Sequence, residues 1–142
     1  MEPSKTTIRP FDFRDFGLLR RVGERGVCLD TEIALTRGAH SLQTALLSYL
    51  APGASTPTFV LPPDGEDGQI GAFGQVRHRP GSEEARITYI APQEALLGSG
   101  GEALVERLSI AAGERGAHNL LAEVGDGTEE FETLRALGFS VY

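Results

Sequence analysis

The spacing of apolar and polar positions changes several times along the chain, and each change marks a new element. Thr6-Thr-Ile-Arg-Pro10 is a β-favouring run closed by proline, which suits a first strand near a sheet edge. A helix is expected next, with Asp12 as its N-cap, Asp15 in its first turn, and Phe11 and Phe16 as a hydrophobic staple. Phe16, Leu19 and Val22 carry its apolar stripe, and Gly26 is placed to end it in a left-handed conformation. Val27 to Gly38 reads two ways: Leu29, Ile33 and Leu35 alternate like a strand, whereas Asp30-Thr-Glu-Ile can open a helical turn. A short helix or a loop is expected there. From Ala39 to Ala51, Leu42, Ala45, Leu46, Tyr49 and Leu50 recur at helical spacing until Pro52-Gly53 stops the run.

A meander follows. Thr58–Leu61 is a strand, Pro62 to Gly68 turns, and Gln69–Arg77 is a longer strand with Ile70, Ala72, Gly74 and Val76 in one alternating set. Glycines at 71 and 74 inside a strand suggest a bulge or a close approach by another backbone or ligand. Arg79-Pro-Gly-Ser turns the chain into a strand from Ala85 to Ala91, with Ile87, Tyr89 and Ala91 on one face and Arg86, Thr88 and Ile90 on the other. After a small-residue loop, Leu104, Val105, Leu108, Ala111 and Ala112 mark the inner side of a helix, Glu102, Glu106 and Ser109 its outer side, and Gly116 its end. Asn119–Val124 reads as a central strand, apolar on both faces except at Glu123. A last helix, capped by Thr128, turns Phe131, Leu134 and Leu137 inward and ends at Gly138, and Phe139–Tyr142 reads as a final strand.

Composition narrows the functions this pattern can serve. The 142 residues fit one domain, expected to span 1–142, with a core large enough to need no metal or cross-link. A formal net charge of −7 argues against nucleic acid, since twelve scattered Arg and the single Lys5 form no basic patch. Cys28 has no partner for an intramolecular disulfide, and it reads as buried packing. The three His are too far apart in sequence for a metal site, so no metal is expected. His40, at the start of its helix, reads as a solvated helix-end residue. With no apolar leader and no run of membrane-spanning length, a soluble, cytoplasmic protein is expected.

The strand–loop–helix unit from Arg86 to Gly116 aims free backbone N–H groups at one point, an arrangement suited to anions. Taken with the Thr7-Ile-Arg-Pro10 opening, Tyr89-Ile-Ala-Pro92, Gly101-Glu-Ala-Leu-Val-Glu-Arg-Leu108 and the ending Leu134-Arg-Ala-Leu-Gly-Phe139, the chain resembles the GNAT superfamily of acyl-coenzyme A-dependent N-acetyltransferases. The resemblance implies an α/β (α+β) fold: a mixed, mostly antiparallel sheet flanked by helices, in the order β-α-α-β-β-β-α-β-α-β. It also implies an acetyl-CoA cofactor and transfer of an acetyl group to an amine. The pyrophosphate would lie on the loop Leu97, Gly98, Ser99, Gly100 and Gly101, and a backbone amide near Ile90 or Ala91 would hold the acyl carbonyl oxygen. Glu123 and Tyr89 are the catalytic candidates, Glu123 as a base acting directly or through water. The amine, on a small molecule or a peptide, would lie against the splayed middle strands.

Several residues depart from the family's pattern. Leu96 stands where a basic or amide residue belongs in the loop, and Leu134 stands where a tyrosine general acid is common. Ser99-Gly-Gly-Glu102 reads as a capping box that would satisfy the amides a pyrophosphate needs. The chain also ends after its sixth expected strand where relatives usually add a seventh, so a homodimer or a second domain is expected to cover the sheet edge. The sequence therefore supports three readings: an acetyltransferase, a catalytically inactive binding, regulatory or dimerisation module of the same fold, or a pocket for another small molecule lined by the glycines of the middle strands.

Overall fold

The computed structural model describes residues 8–30, 45, 50, 56–62, 71–125 and 127–141. Its six-stranded sheet is built on a long antiparallel pair, β4 (Ala72–His78) and β5 (Glu84–Ala91). On one side of this pair lie β3 (Thr58–Leu61) and then β1 (Arg9–Pro10), both antiparallel. On the other side β5 has two partners, β2 (Val27–Cys28), antiparallel, and β6 (Asn119–Leu121), parallel. Helices α1 (Phe16–Val22), α2 (Gln93–Leu97), α3 (Ser99–Glu114) and α4 (Glu129–Ala136) complete the described architecture. The expected fold class, a mixed and mostly antiparallel sheet flanked by helices, is the one observed.

Each face of the sheet carries its own core. Leu104, Leu108, Ala111 and Ala112 of α3 pack with Leu61, Val76, Ile87 and Ile90 on one face, and all five predicted inner positions of this helix are buried. Gly74 lets α3 come this close, because a Cβ there would stand 3.0 Å from the Leu108 Cδ1. On the other face Leu18, Leu19 and Val22 of α1 pack with Phe11, Val60, Phe73, Tyr89 and Ala91. Ala45 joins this second core; it and Leu50 are helical, and the rest of the helix expected at 39–51, His40 included, lies outside the described residues. Cys28 is half-buried against the same core.

Local signals set several boundaries. Asp12, the expected N-cap, accepts from the Arg14 N–H at 3.1 Å, and Asp15 in turn accepts from the Asp12 N–H at 3.0 Å, which closes a reciprocal cap. Thr128 accepts from the Phe131 N–H at 3.2 Å and starts α4. Gly116 and Gly138, with φ of 101° and 109°, end α3 and α4 in the left-handed region.

Other expectations are corrected. Gly26 is extended, with φ −94° and ψ 177°, and the helix before it passes into a 3-10 turn, Gly23–Arg25. The absent side chain at Gly26 admits the Tyr89 ring instead, which lies 2.5 Å from where a Cβ would stand. Val27–Cys28 is a strand and not a helix or loop, because it finds the edge of β5; residues 31–38 lie outside the described residues. The even alternation expected along β5 breaks at Thr88. Gln75 pairs with Tyr89 but Val76 with Ile87, so Thr88 is an extra residue, and Ile87 and Ile90 share one core while Tyr89 and Ala91 share the other. The strand expected to be central at Asn119–Val124 covers only Asn119–Leu121, and its residues are exposed or half-buried. Residues 139–141 are irregular and not a strand, for β6 makes its ladder with β5 alone among the described residues; Tyr142 lies outside them.

Candidate functional site

The bulge at Thr88 divides the outer edge of β5 in two. Residues 84–86 pair with β6, and beyond them the two strands part. The gap between them holds Val27–Asp30. The Leu29 N–H donates to the Thr88 carbonyl at 2.9 Å, and the Leu29 carbonyl accepts from the Glu123 N–H at 2.8 Å, so one residue joins both sides of the split. In an antiparallel ladder the hydrogen-bonded pairs recur every second residue, which makes Val27 and Ile90 the next such pair. The inserted segment is anchored at its far end by Asp30, whose buried carboxylate lies 2.6 Å from the Arg77 Nη2.

Tyr89 secures the other end. Its hydroxyl donates to the Gly23 carbonyl and accepts from the Gly26 N–H at 3.1 Å, holding the 3-10 turn just before β2. Two backbone partners and 6% exposure describe a packed anchor for the residues that enter the gap. Glu123 lies on the opposite side of Leu29, half-exposed, 3.8 Å from the Arg86 Nη1. The two catalytic candidates therefore lie on either side of the inserted segment. Ile90 is paired with Val27, while Ala91 pairs with Phe73 on the β4 side, so neither offers a free amide at the edge of β5.

At the loop, Gly98 and not Ser99 is the N-cap of α3, with extended φ and ψ of −100° and −171° and no side-chain cap. Glu102 consequently falls at the fourth helical position instead of the third that a capping box from Ser99 requires. The Gly101 N–H donates to the Gly98 carbonyl at 3.1 Å, which leaves the first two helical amides, those of Ser99 and Gly100, without intrahelical acceptors. Gly101 packs tightly: a Cβ there would stand 2.3 Å from the Leu96 carbonyl oxygen. Leu97, half-buried, ends α2 just ahead of Gly98. Leu96 and Leu134, at the positions where the family resemblance calls for polar groups, are 0% and 3% exposed and belong to the core.

Two features of the site were missed in the sequence. One is the inserted segment itself, whose signal is the apolar Val27-Cys-Leu29 run directly after a glycine. The other is Arg25, which the 3-10 turn carries to within 3.4 Å of Glu94 beside the loop, across 69 positions of sequence. A hydrogen bond from its own backbone N–H, and then the Arg25 charge, hold the Glu94 carboxyl below the usual carboxylate range, against partial desolvation. Because the shift is downward, the ion pair is intact above the ordinary carboxylate range and is lost as pH falls through the lowered value. Arg25→Ala is expected to raise the Glu94 midpoint toward the ordinary value in a carboxyl NMR titration, and an unmoved midpoint would remove Arg25 from the loop.

No family model matches the chain, and no curated protein matches it in sequence. Solved structures do match its shape. A Trypanosoma brucei acetyltransferase is 17% identical, with TM-score 0.58 over 96% of this chain and 93% of that one. A ribosomal-protein-alanine N-acetyltransferase from Brucella melitensis biovar Abortus is 18% identical, with TM-score 0.53 over 96% of both chains. A tetramutant of a Bacillus halodurans protein is 15% identical, with TM-score 0.61 over 95% and 94%. The chain has the GNAT acetyltransferase fold.

That fold implies acetyl-CoA, and the residues present can be tested against it. With the pyrophosphate at the start of α3 and the acyl group near Ile90, the arm joining them must run along the outer edge of β5. The start of α3 suits the pyrophosphate, but the edge does not suit the arm, because β2 and Leu29 already use the Ile90 and Thr88 backbone groups. The cleft as it stands does not fit the cofactor. Among the described residues no cluster of potential metal ligands occurs, and no helix is long and apolar enough to cross a membrane.

Proposed function

We propose that this GNAT-fold chain is a catalytically inactive module that acts by binding, its acyl-CoA cleft closed by its own Val27–Asp30 segment. The observation that carries this reading is Leu29, hydrogen-bonded at once to Thr88 and to Glu123 in the gap between β5 and β6. The apolar, buried Leu96 and Leu134 and the doubly engaged Tyr89 hydroxyl support it, since none of them is a free acid, base or anion ligand. The direct test is thiol release from acetyl-CoA in the presence of polyamines and peptide amines. The expected result is the uncatalysed rate; protein-dependent release that Gly100→Glu abolishes would overturn the reading.

The uncapped start of α3, with Arg25 beside it, favours a second reading, an acyl-CoA-dependent N-acetyltransferase whose segment leaves β5 before the cofactor enters. Its acidic surface would steer a cationic amine to the site. Val27→Pro, which removes the donor to Ile90, separates the two: the second reading requires tighter acetyl-CoA binding by the variant, and the first requires none.

A further inference from the structure

Helix α1 and the 3-10 turn before it, Phe13–Asp15, bury one stripe at helical spacing: Asp15, Leu18, Leu19 and Val22. The same spacing puts Phe13, Gly17 and Arg20 on the opposite, outward face, with Phe16 and Arg14 on its flanks and Arg21 beside Arg20. Phe13 is 58% exposed, and its ring stacks on that of Phe16 with centroids 5.7 Å apart. A Cβ added at Gly17 would meet nothing within 4 Å, so an open notch separates the aromatic pair from the two guanidinium groups. Arg14, Arg20 and Arg21 are exposed, and their side chains make no ion pair among the described residues. Asp12 and Asp15 are engaged elsewhere, Asp12 in the cap and Asp15 with Arg9 at 2.8 Å. Aromatic rings and arginines are the side chains that recur at binding hot spots.

Charge selects the partner. We propose that this outward face of α1 binds an acidic polypeptide segment carrying an aromatic side chain, its ring laid on the Phe13–Phe16 pair and its carboxylates held by Arg14, Arg20 and Arg21. Guanidinium groups take carboxylates in bidentate pairs. From Phe13 to Arg20 the helix rises about 10–12 Å, the length of roughly three or four extended residues. The rest of the chain favours a short segment over a broad polyanion. Even with these arginines counted the net charge is −7, and a membrane or a nucleic acid extends well past one Debye length of about 8 Å, so it would also meet the acidic remainder. A short segment meets the patch alone. The inference holds whether or not coenzyme A binds, because this face is turned away from the sheet.

The test uses the 142-residue chain and a fluorescent octapeptide of glutamates around a central phenylalanine pair, with lysines replacing the glutamates in its counterpart. Saturable binding of the acidic peptide is expected, about tenfold or more tighter than that of the basic one. Arg20→Glu with Arg21→Glu should weaken it by about tenfold or more, and Phe13→Ser by about threefold or more, at exposed positions that leave the core intact. Arg79→Glu makes the same kind of charge change as Arg20→Glu but in the exposed turn after β4, and it should leave the affinity within about twofold. Equal affinity for both peptides, binding indifferent to the α1 variants, or an equal loss in Arg79→Glu overturns the proposal. Tighter binding to phosphatidylserine vesicles or a single-stranded oligonucleotide than to the acidic peptide also overturns it, as does a concentration-dependent dimer that the double arginine variant dissociates.

Discussion

Replacing Arg77 with methionine is expected to cost about 3–5 kcal/mol of stability, the range seen when one partner of a buried ion pair is removed. The Asp30 side chain is 0% exposed and lies 2.6 Å from the Arg77 Nη2, whereas Arg77 is itself 23% exposed. Methionine keeps most of the apolar stem and withdraws the charge, so the buried carboxylate loses the cation that faces it. Asp30 closes the segment that fills the split, and the loss should be felt there first: exchange of the Leu29 and Ile90 amides should rise with the drop in the urea midpoint. Asp30→Asn in the same background removes the buried carboxylate charge and should recover part of the loss. A cost below about 1 kcal/mol, in the range of a solvent-exposed pair, would mean that Asp30 does not anchor the segment.

Two glycines of α3 should respond to alanine with opposite signs. In an unobstructed helix position the exchange stabilises by about 1 kcal/mol, and Gly113, where an added Cβ would meet nothing within 4 Å, should show that gain. Gly101→Ala should instead destabilise by about 1–3 kcal/mol, the usual cost of overpacking. Its Cβ would meet the Leu96 and Ala95 carbonyl oxygens at 2.3 and 2.7 Å, and backbone cannot swing aside as a flexible side chain can. Denaturant midpoints of the two variants check this directly. The outcome bears on function, because a glycine required for packing α3 on the end of α2 is no evidence of a phosphate nearby.

The parts of the fold legible in the sequence are those governed by local chemistry. The inner face of α3, the caps at Asp12 and Thr128, and the glycine stops at 116 and 138 each depend on residues a few positions apart, and each is found in place. What was not legible depends on distant partners. Val27–Cys28 has too short a pattern to declare itself, and it becomes a strand only because β5 and β6 separate and leave backbone groups to be satisfied. The bulge at Thr88 likewise arises between two strands, and it breaks the simple alternation of faces along β5. At the site, Tyr89 and Glu123 were singled out by the family resemblance, through their residue type and strand position. The hydroxyl proved to be tied to Gly23 and Gly26 through a turn that alternation does not reveal. Arg25 escaped notice because nothing in its neighbourhood of sequence links it to Glu94.

Whether the chain's own segment holds the edge of β5 where a coenzyme A arm would lie can be decided by following backbone amides during an acetyl-CoA titration. If the segment stays in place, the Leu29 and Ile90 amides exchange slowly and remain unshifted up to millimolar acetyl-CoA. Saturable shifts at Ile90, Ser99 and Gly100 with a micromolar Kd, accompanied by loss of protection at Leu29, would show instead that the cleft opens to the cofactor.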